Sequence, residues 1–252
     1  MKIYEFLNVI DTFAPFSLAE DWDNSGLMVG SYDSEVKGVA VCLDAVHEAV
    51  IKASENNCNV LLCHHPLIFR ALKSINLDSE QGRTINEAVK RDINIIAAHT
   101  NWDKADEGVN FQLAKTLGLN DIEPLDSFGI SGTLPRSMSP NEFLEHVKSV
   151  WNLSRLDYYV SDNKKIARVS LCGGSGSEFW RSAKSLGSDV YITADMKYHE
   201  LIDSTREGLN ILLVEHGEME RVSLPALANK ISDYGIKVLL LDIKALTVPL
   251  RL

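Results

Sequence analysis

The sequence predicts an α/β protein made of two similarly built α/β units with mostly parallel sheets. Three observations predict it. Short apolar runs of strand length alternate with amphipathic helical stretches, the pattern of βα units. The alternation runs twice, on either side of a break rich in proline and glycine. Both halves close on the same arrangement, a strand that ends at a histidine with a carboxylate four residues on.

The elements follow in order. Ile3, Phe6, Leu7, Ile10 and Phe13 recur at helical spacing, with Glu5 and Asp11 among them. This is an amphipathic helix, and it lacks the charged start and apolar block of an export signal. After the loop 19–26, Val39–Leu43 reads as a strand and Ala45–Asn56 as a helix. The run Asn59-Val-Leu-Leu-Cys63 is a fully buried strand ending at His64-His65-Pro66. A helix over about 82–91 leads to the strand 93–98, which ends at His99. Val109–Leu117 is a helix with Gly118 as its stop.

Residues 120–165 break the rhythm, with Pro124, Gly129, Gly132, Pro135 and Pro140, and are expected to form a connecting module. Within it Ser139-Pro140-Asn141-Glu142 spells a helix start with a capping box. The pattern then restarts. Strands are expected over 167–172, 190–193, 209–214 and 237–242, and helices over 178–186, 199–207 and 222–234. The second of these strands leads to Asp195-Met-Lys-Tyr-His199 and the third to His216. The expected domains are therefore 1–125 and 126–252, with the C-terminal segment free to pack back on the first.

Composition narrows the function. The 252 residues are 45% hydrophobic and 24% charged, ordinary for a globular chain. A formal net charge of -10 repels phosphate backbones and argues against nucleic-acid binding. No apolar run reaches the roughly 20 residues a membrane span needs. Cys42, Cys58, Cys63 and Cys172 show no C-x-x-C pair, so no disulfide framework is expected. A soluble protein of the reducing cytoplasm fits.

The chemistry gathers at strand ends, where ligands of such folds bind. His64 and His65 terminate an apolar strand. Adjacent strand residues point to opposite faces, so they serve two metals, or one if the strand bends. His99 with Asp103, and His216 with Glu220, add a nitrogen and an oxygen donor from each half. This mixed set suits Zn, Fe, Mn, Co or Ni and not Mg or Ca alone. The donors exceed what one tetrahedral ion takes, and two divalent ions about 3.5–4 Å apart would use them, activating water and clamping phosphate or carbonyl oxygens. The alternative is that His99 and His216 are core histidines and the acids are caps. His99 is a further ligand, an orienting group or a general acid/base. Asp195, Lys197 and His199 are candidates for proton transfer or substrate contact, as are Glu107 and Glu218. The turn Gly173-Gly174-Ser175-Gly176 offers amides to an anion. His47 and His146 read as ordinary helix residues.

Several segments together resemble a known family. They are Ala19-Glu-Asp-Trp-Asp-Asn-Ser-Gly-Leu-Met-Val-Gly30, Cys63-His-His-Pro66, His99-Thr-Asn-Trp-Asp103 with Gly108-Val-Asn110, Thr193-Ala-Asp-Met-Lys-Tyr-His199, and His216 with Glu220-Arg221. They resemble, in family order, the Nif-three-like dinuclear metal proteins, often labelled GTP cyclohydrolase 1 type 2 homologues. The resemblance implies that His64, His65, Asp103, His216 and Glu220 are the metal ligands, with His99 in the same pocket. It implies two interlinked α/β domains with the metal site between them, and a toroidal homohexamer. It also implies a metal-dependent hydrolase acting on a nucleotide or related small molecule. Here His99, His199 and Glu107 are the catalytic candidates. The competing reading is a metal-handling or regulatory protein without turnover.

Overall fold

The computed structural model describes residues 1–243. In chain order the first part holds α1 (Ile3–Phe13), β1 (Gly26–Val29), β2 (Val39–Asp44), α2 (His47–Glu55), β3 (Val60–His65), α3 (Glu80–Lys90), β4 (Asn94–Ala97) and α4 (Thr100–Asp103). Next come α5 (Val109–Leu117), β5 (Asn120–Leu125), β6 (Gly129–Met138), α6 (Pro140–Val150), β7 (Leu156–Tyr159), β8 (Ile166–Leu171), α7 (Trp180–Ser185), β9 (Val190–Thr193), α8 (Tyr198–Arg206), β10 (Asn210–Val214) and α9 (His216–Glu220). The last elements are α10 (Leu224–Ser232) and β11 (Val238–Leu240).

The chain folds as two compact units. Among the described residues, one is Met1–Gly108 together with 224–243, and the other is Val109–Ser223. The sequence-based halves divide near residue 125, inside the hairpin of β5 and β6. Those strands pair antiparallel through Leu125↔Gly129, which keeps both in one sheet.

The first unit carries a five-stranded sheet in the order β1-β4-β3-β2-β11. β2, β3, β4 and β11 run parallel to one another, and β1 closes one edge antiparallel to β4. The centre reads as continuous apolar sequence because both faces are covered. Val60, Leu61, Leu62, Cys63, Ile95, Ile96 and Ala97 are all fully buried. A fully buried Leu or Ile contributes on the order of 1.5–3 kcal/mol. These strands therefore hold their ends firmly. Register places Asp44 beside His65 and Cys63 beside Ala97. The carboxyl ends of β2, β3 and β4 thus deliver Asp44, His64, His65 and His99 to one edge.

The second unit carries a six-stranded sheet in the order β5-β6-β8-β9-β10-β7. Its centre, β8-β9-β10, is parallel, and β5, β6 and β7 join antiparallel. The stretch expected as a connecting module is thus three strands and α6. Its glycines are packing residues, not loop residues. A Cβ on Gly129 would lie 2.5 Å from the Leu171 carbonyl oxygen, and one on Gly132 2.9 Å from that of Asn120. Pro124 is tolerated because β5 is an edge strand. Pro135 falls where the β6–β8 register shifts, between Thr133 and Met138. The capping box forms as spelled: Glu142 N–H donates to Ser139 Oγ at 3.4 Å and Ser139 N–H to Glu142 Oε2 at 3.3 Å.

β1 and α4 have no counterpart in the sequence reading. Both are four residues long, too short for periodicity to register. All four cysteines are buried. Among the described residues, no helix is long and apolar enough to cross a membrane.

Candidate metal centre

In the first unit β3 and β4 end side by side, and their histidines converge. Strand alternation would separate His64 from His65. The strand stops there, however, and the rings lie 5.1 Å apart, with His99 at 5.2 and 5.8 Å from them. One ligand atom from each of the three lies within 4.8 Å of the others. Asp103 joins through α4, the single helical turn that His99 caps. Its Oδ1 is 3.6 Å from His64 Nε2.

Each imidazole is held from behind. His64 Nδ1 lies 3.0 Å from the Ala98 carbonyl oxygen, His65 Nδ1 2.8 Å from Asp44 Oδ1, and His99 Nδ1 2.7 Å from Asp23 Oδ1. A carbonyl or ionised carboxylate oxygen only accepts, so each Nδ1 carries the proton. The lone pair then sits on Nε2. This is how metal-ligating histidines are fixed in tautomer and direction.

Asp23 is the most tightly held of these acceptors. Its carboxylate is inaccessible to solvent. Besides His99 it accepts from Thr100 N–H at 3.1 Å, Thr100 Oγ1 at 2.6 Å, Ser25 Oγ at 2.9 Å and Asn24 N–H at 2.7 Å. Burial alone would raise its pKa. The hydrogen bonds from His99, Thr100 and Asn24 and the charge of His99 hold it far below the ordinary carboxylate value. Asp23 and Asp44 escaped the sequence reading. Asp44 had a legible signal, an acid ending the apolar run Val39-Ala-Val-Cys-Leu43. Asp23 lies in the quoted loop 19–30 but acts on a residue 76 positions away.

The second unit repeats the plan. β8, β9 and β10 end at the Gly173-Gly174 turn, at Asp195 and at His216. His216 and Glu220 stand one turn apart on α9, with His216 Nε2 3.1 Å from Glu220 Oε1. His216 Nδ1 meets Asp195 Oδ2 at 2.7 Å. Burial would depress the His216 pKa, but hydrogen bonds to Asp195 and Glu220, and their charge, raise it to about 10. Surroundings that favour a proton so strongly also favour a metal cation at Nε2. Gly174, at φ +65°, makes room: a Cβ there would lie 2.3 Å from Glu220 Oε1 and 3.2 Å from His216 Nε2.

In the glycine turn, two of the four amides have partners within the unit. Gly173 N–H donates to Asn110 Oδ1 at 2.8 Å and Gly176 N–H to Thr193 Oγ1 at 3.1 Å. His199 is exposed on α8 with its ring against Tyr198, centroids 5.4 Å apart. Lys197 is exposed as the residue before that helix. Glu107 is exposed and ion-paired with Lys230 of α10. Glu218 is buried and accepts from Ser154 N–H at 2.8 Å and Ser154 Oγ at 2.9 Å. His47 faces Glu87 at 3.7 Å, and His146 Nε2 meets the Leu117 carbonyl oxygen at 3.1 Å.

Fold and donor chemistry together define a class, an α/β protein whose strand ends carry histidine and carboxylate groups able to hold metal. Residues 1–246 match the family described as Duf34/NIF3 (NGG1p interacting factor 3). The chain belongs to this family. It is 36% identical over 241 residues to a "GTP cyclohydrolase 1 type 2 homolog" of Clostridium perfringens, covering 92% of each chain. It is 32% identical over 247 residues to a protein of the same name from Lactococcus lactis, covering 94% and 95%. The fold matches a Bacillus cereus protein related to NIF3 with a TM-score of 0.94 at 23% identity, covering 100% of this chain and 99% of that one. It matches Staphylococcus aureus hypothetical protein SA1388 with a TM-score of 0.89 at 30% identity, covering 96% and 97%.

Proposed function

We propose that the chain binds two divalent transition-metal ions through His64, His65, Asp103, His216 and Glu220. We further propose that it is a metal-dependent hydrolase acting on a nucleotide or related small molecule. One observation carries the metal reading. All four imidazoles have Nδ1 committed to an acceptor, three of them to carboxylates, which presents Nε2 as donor. Two carboxylates complete a nitrogen/oxygen set that suits Zn, Fe, Mn, Co or Ni. The nucleotide class is suggested by the name of the Clostridium perfringens and Lactococcus lactis relatives.

Such ions, when bound, supply Lewis acidity and acidify water towards neutral pH. The protein's own part is orientation and proton transfer. Asp44, Asp195 and the Ala98 carbonyl aim the ligand histidines. Of the proposed proton-transfer residues, His99 has the surroundings for it, since Asp23 holds its Nδ1 and turns Nε2 towards His64 and His65. The family resemblance supports a toroidal homohexamer, and the buried thiols suit the cytoplasm.

The test is metal content per chain on protein purified without added metal or chelator, with turnover of GTP and other nucleotides on the same samples. About two ions per chain are expected, with a drop in His65→Ala. Loss of turnover is expected in folded Asp103→Ala and Glu220→Ala. No metal in wild type, even after dialysis against Zn, Mn or Fe, would overturn the site. Reversible metal exchange with no turnover would replace the hydrolase with a metal-handling protein.

A further inference from the structure

Beside the first histidine cluster stand two large aromatic side chains that the fold leaves in solvent. Trp22 is 58% exposed and Phe69 42%. Their rings meet edge to face, with centroids 5.9 Å apart and planes at 65°. Both adjoin His99, at 6.4 Å for Trp22 and 6.1 Å for Phe69. The other three tryptophans, Trp102, Trp151 and Trp180, are buried.

This exposure is built in. Trp22 precedes Asp23, whose carboxylate is pinned by His99, Thr100, Ser25 and the Asn24 amide. Phe69 follows Leu67 and Ile68, which pack against the core of the first unit. The Leu67 carbonyl oxygen accepts from Gln81 Nε2 and that of Ile68 from Asn24 Nδ2, each at 2.5 Å. The latter bond ties the two loops together, so the corner between the rings is set before any ligand arrives. A preorganised aromatic surface loses little entropy on binding. The flanking charges, exposed Asp21 and Arg70, are of opposite sign. Attraction there falls to the ring faces and not to net charge.

We propose that Trp22 and Phe69 form a stacking subsite for a planar nitrogen heterocycle of the nucleobase class, carried by the compound that the adjoining metal centre acts on. An open indole face stacks on any such ring. Phe69 bounds it on one side, and His99 lies at the subsite's inner edge. The inference rests on the hydrolase reading for its purpose, but ring binding itself needs only the first unit's two loops.

The experiment uses guanosine as probe, with uridine and ribose for comparison, on metal-loaded and on EDTA-treated protein. Trp22 is the exposed indole, so quenching of tryptophan fluorescence by acrylamide reports on it. Guanosine is expected to protect that fraction in both preparations, uridine less, and ribose not at all. Equilibrium dialysis should show binding weakened about tenfold in Trp22→Ala and retained in Trp22→Phe, with a smaller loss in Phe69→Ala. No protection by guanosine, or unchanged binding in Trp22→Ala, would overturn the proposal. Protection that persists in a protein unable to load metal would leave the subsite standing while the metal reading falls.

Discussion

An imidazole with its Nδ1 proton already given to an acceptor recurs at His64, His65, His99 and His216. A free histidine interconverts tautomers and rotates. These four do neither without breaking a hydrogen bond, and so Nε2 is aimed in advance. Asp23 shows what the arrangement is worth. Its pKa is lowered on folding, so its contribution is present above the ordinary carboxylate value of 3.8 and is lost as pH falls below it. In metal-free protein Asp23→Asn should lower stability at pH 7 by about 1–3 kcal/mol. It should also flatten the loss of stability between pH 4 and pH 2. Thermal melts across that range check both, and an unchanged acid limb would show that another carboxylate controls it.

Strand ends and tight turns do the positioning at the next scale up. In the first unit, parallel register alone brings Asp44 against His65, and the one-turn helix α4 carries Asp103 round to His64. In the second unit the Gly173-Gly174 turn gives α9 its space. Gly174→Ala places a Cβ against Glu220 Oε1 on a backbone at positive φ, which costs on the order of 1–2 kcal/mol. The expected result is a folded protein, with a slightly lower Tm, that carries less metal because His216 and Glu220 are displaced. Elemental analysis beside a melting curve tests this. Full metal content in that variant would show that the second donor pair is not used. The sequence already displayed both His-x-x-x-carboxylate motifs. It did not show that each lies on a helical turn, because four- and five-residue helices leave no periodic signature.

On the scale of the whole molecule, the chain leaves the first unit at Gly108 and returns to it at Leu224. The returning α10 buries Leu224, Leu227, Ala228 and Ile231. β11 then pairs with β2 through Val238↔Val39 and Leu240↔Val41. Without them the first sheet has an open apolar edge, a template for aggregation. A chain ending at Ser223 should therefore unfold or aggregate as far as its first unit is concerned. Hydrogen exchange in β2 and β3 reads this directly, and native protection of β2 in the truncated chain would refute it.

Much of this was legible in the residues. Continuous apolar runs fixed the central strands, because burial on both faces leaves no place for polar side chains. Ser139-Pro140-Asn141-Glu142 fixed the start of α6, because capping is a local interaction. The histidines and acids at strand ends marked the candidate metal centre, because that edge of a parallel sheet is where a ligand is met. Tertiary structure decided the rest. It made β5, β6 and β7 out of a stretch whose glycines look like turns, since a glycine required by a neighbouring strand looks the same in sequence as one required by a bend. It also chose Asp23 and Asp44 to hold His99 and His65. Those partnerships join residues far apart in the chain, and only the packed sheet and its loops bring them within a hydrogen bond.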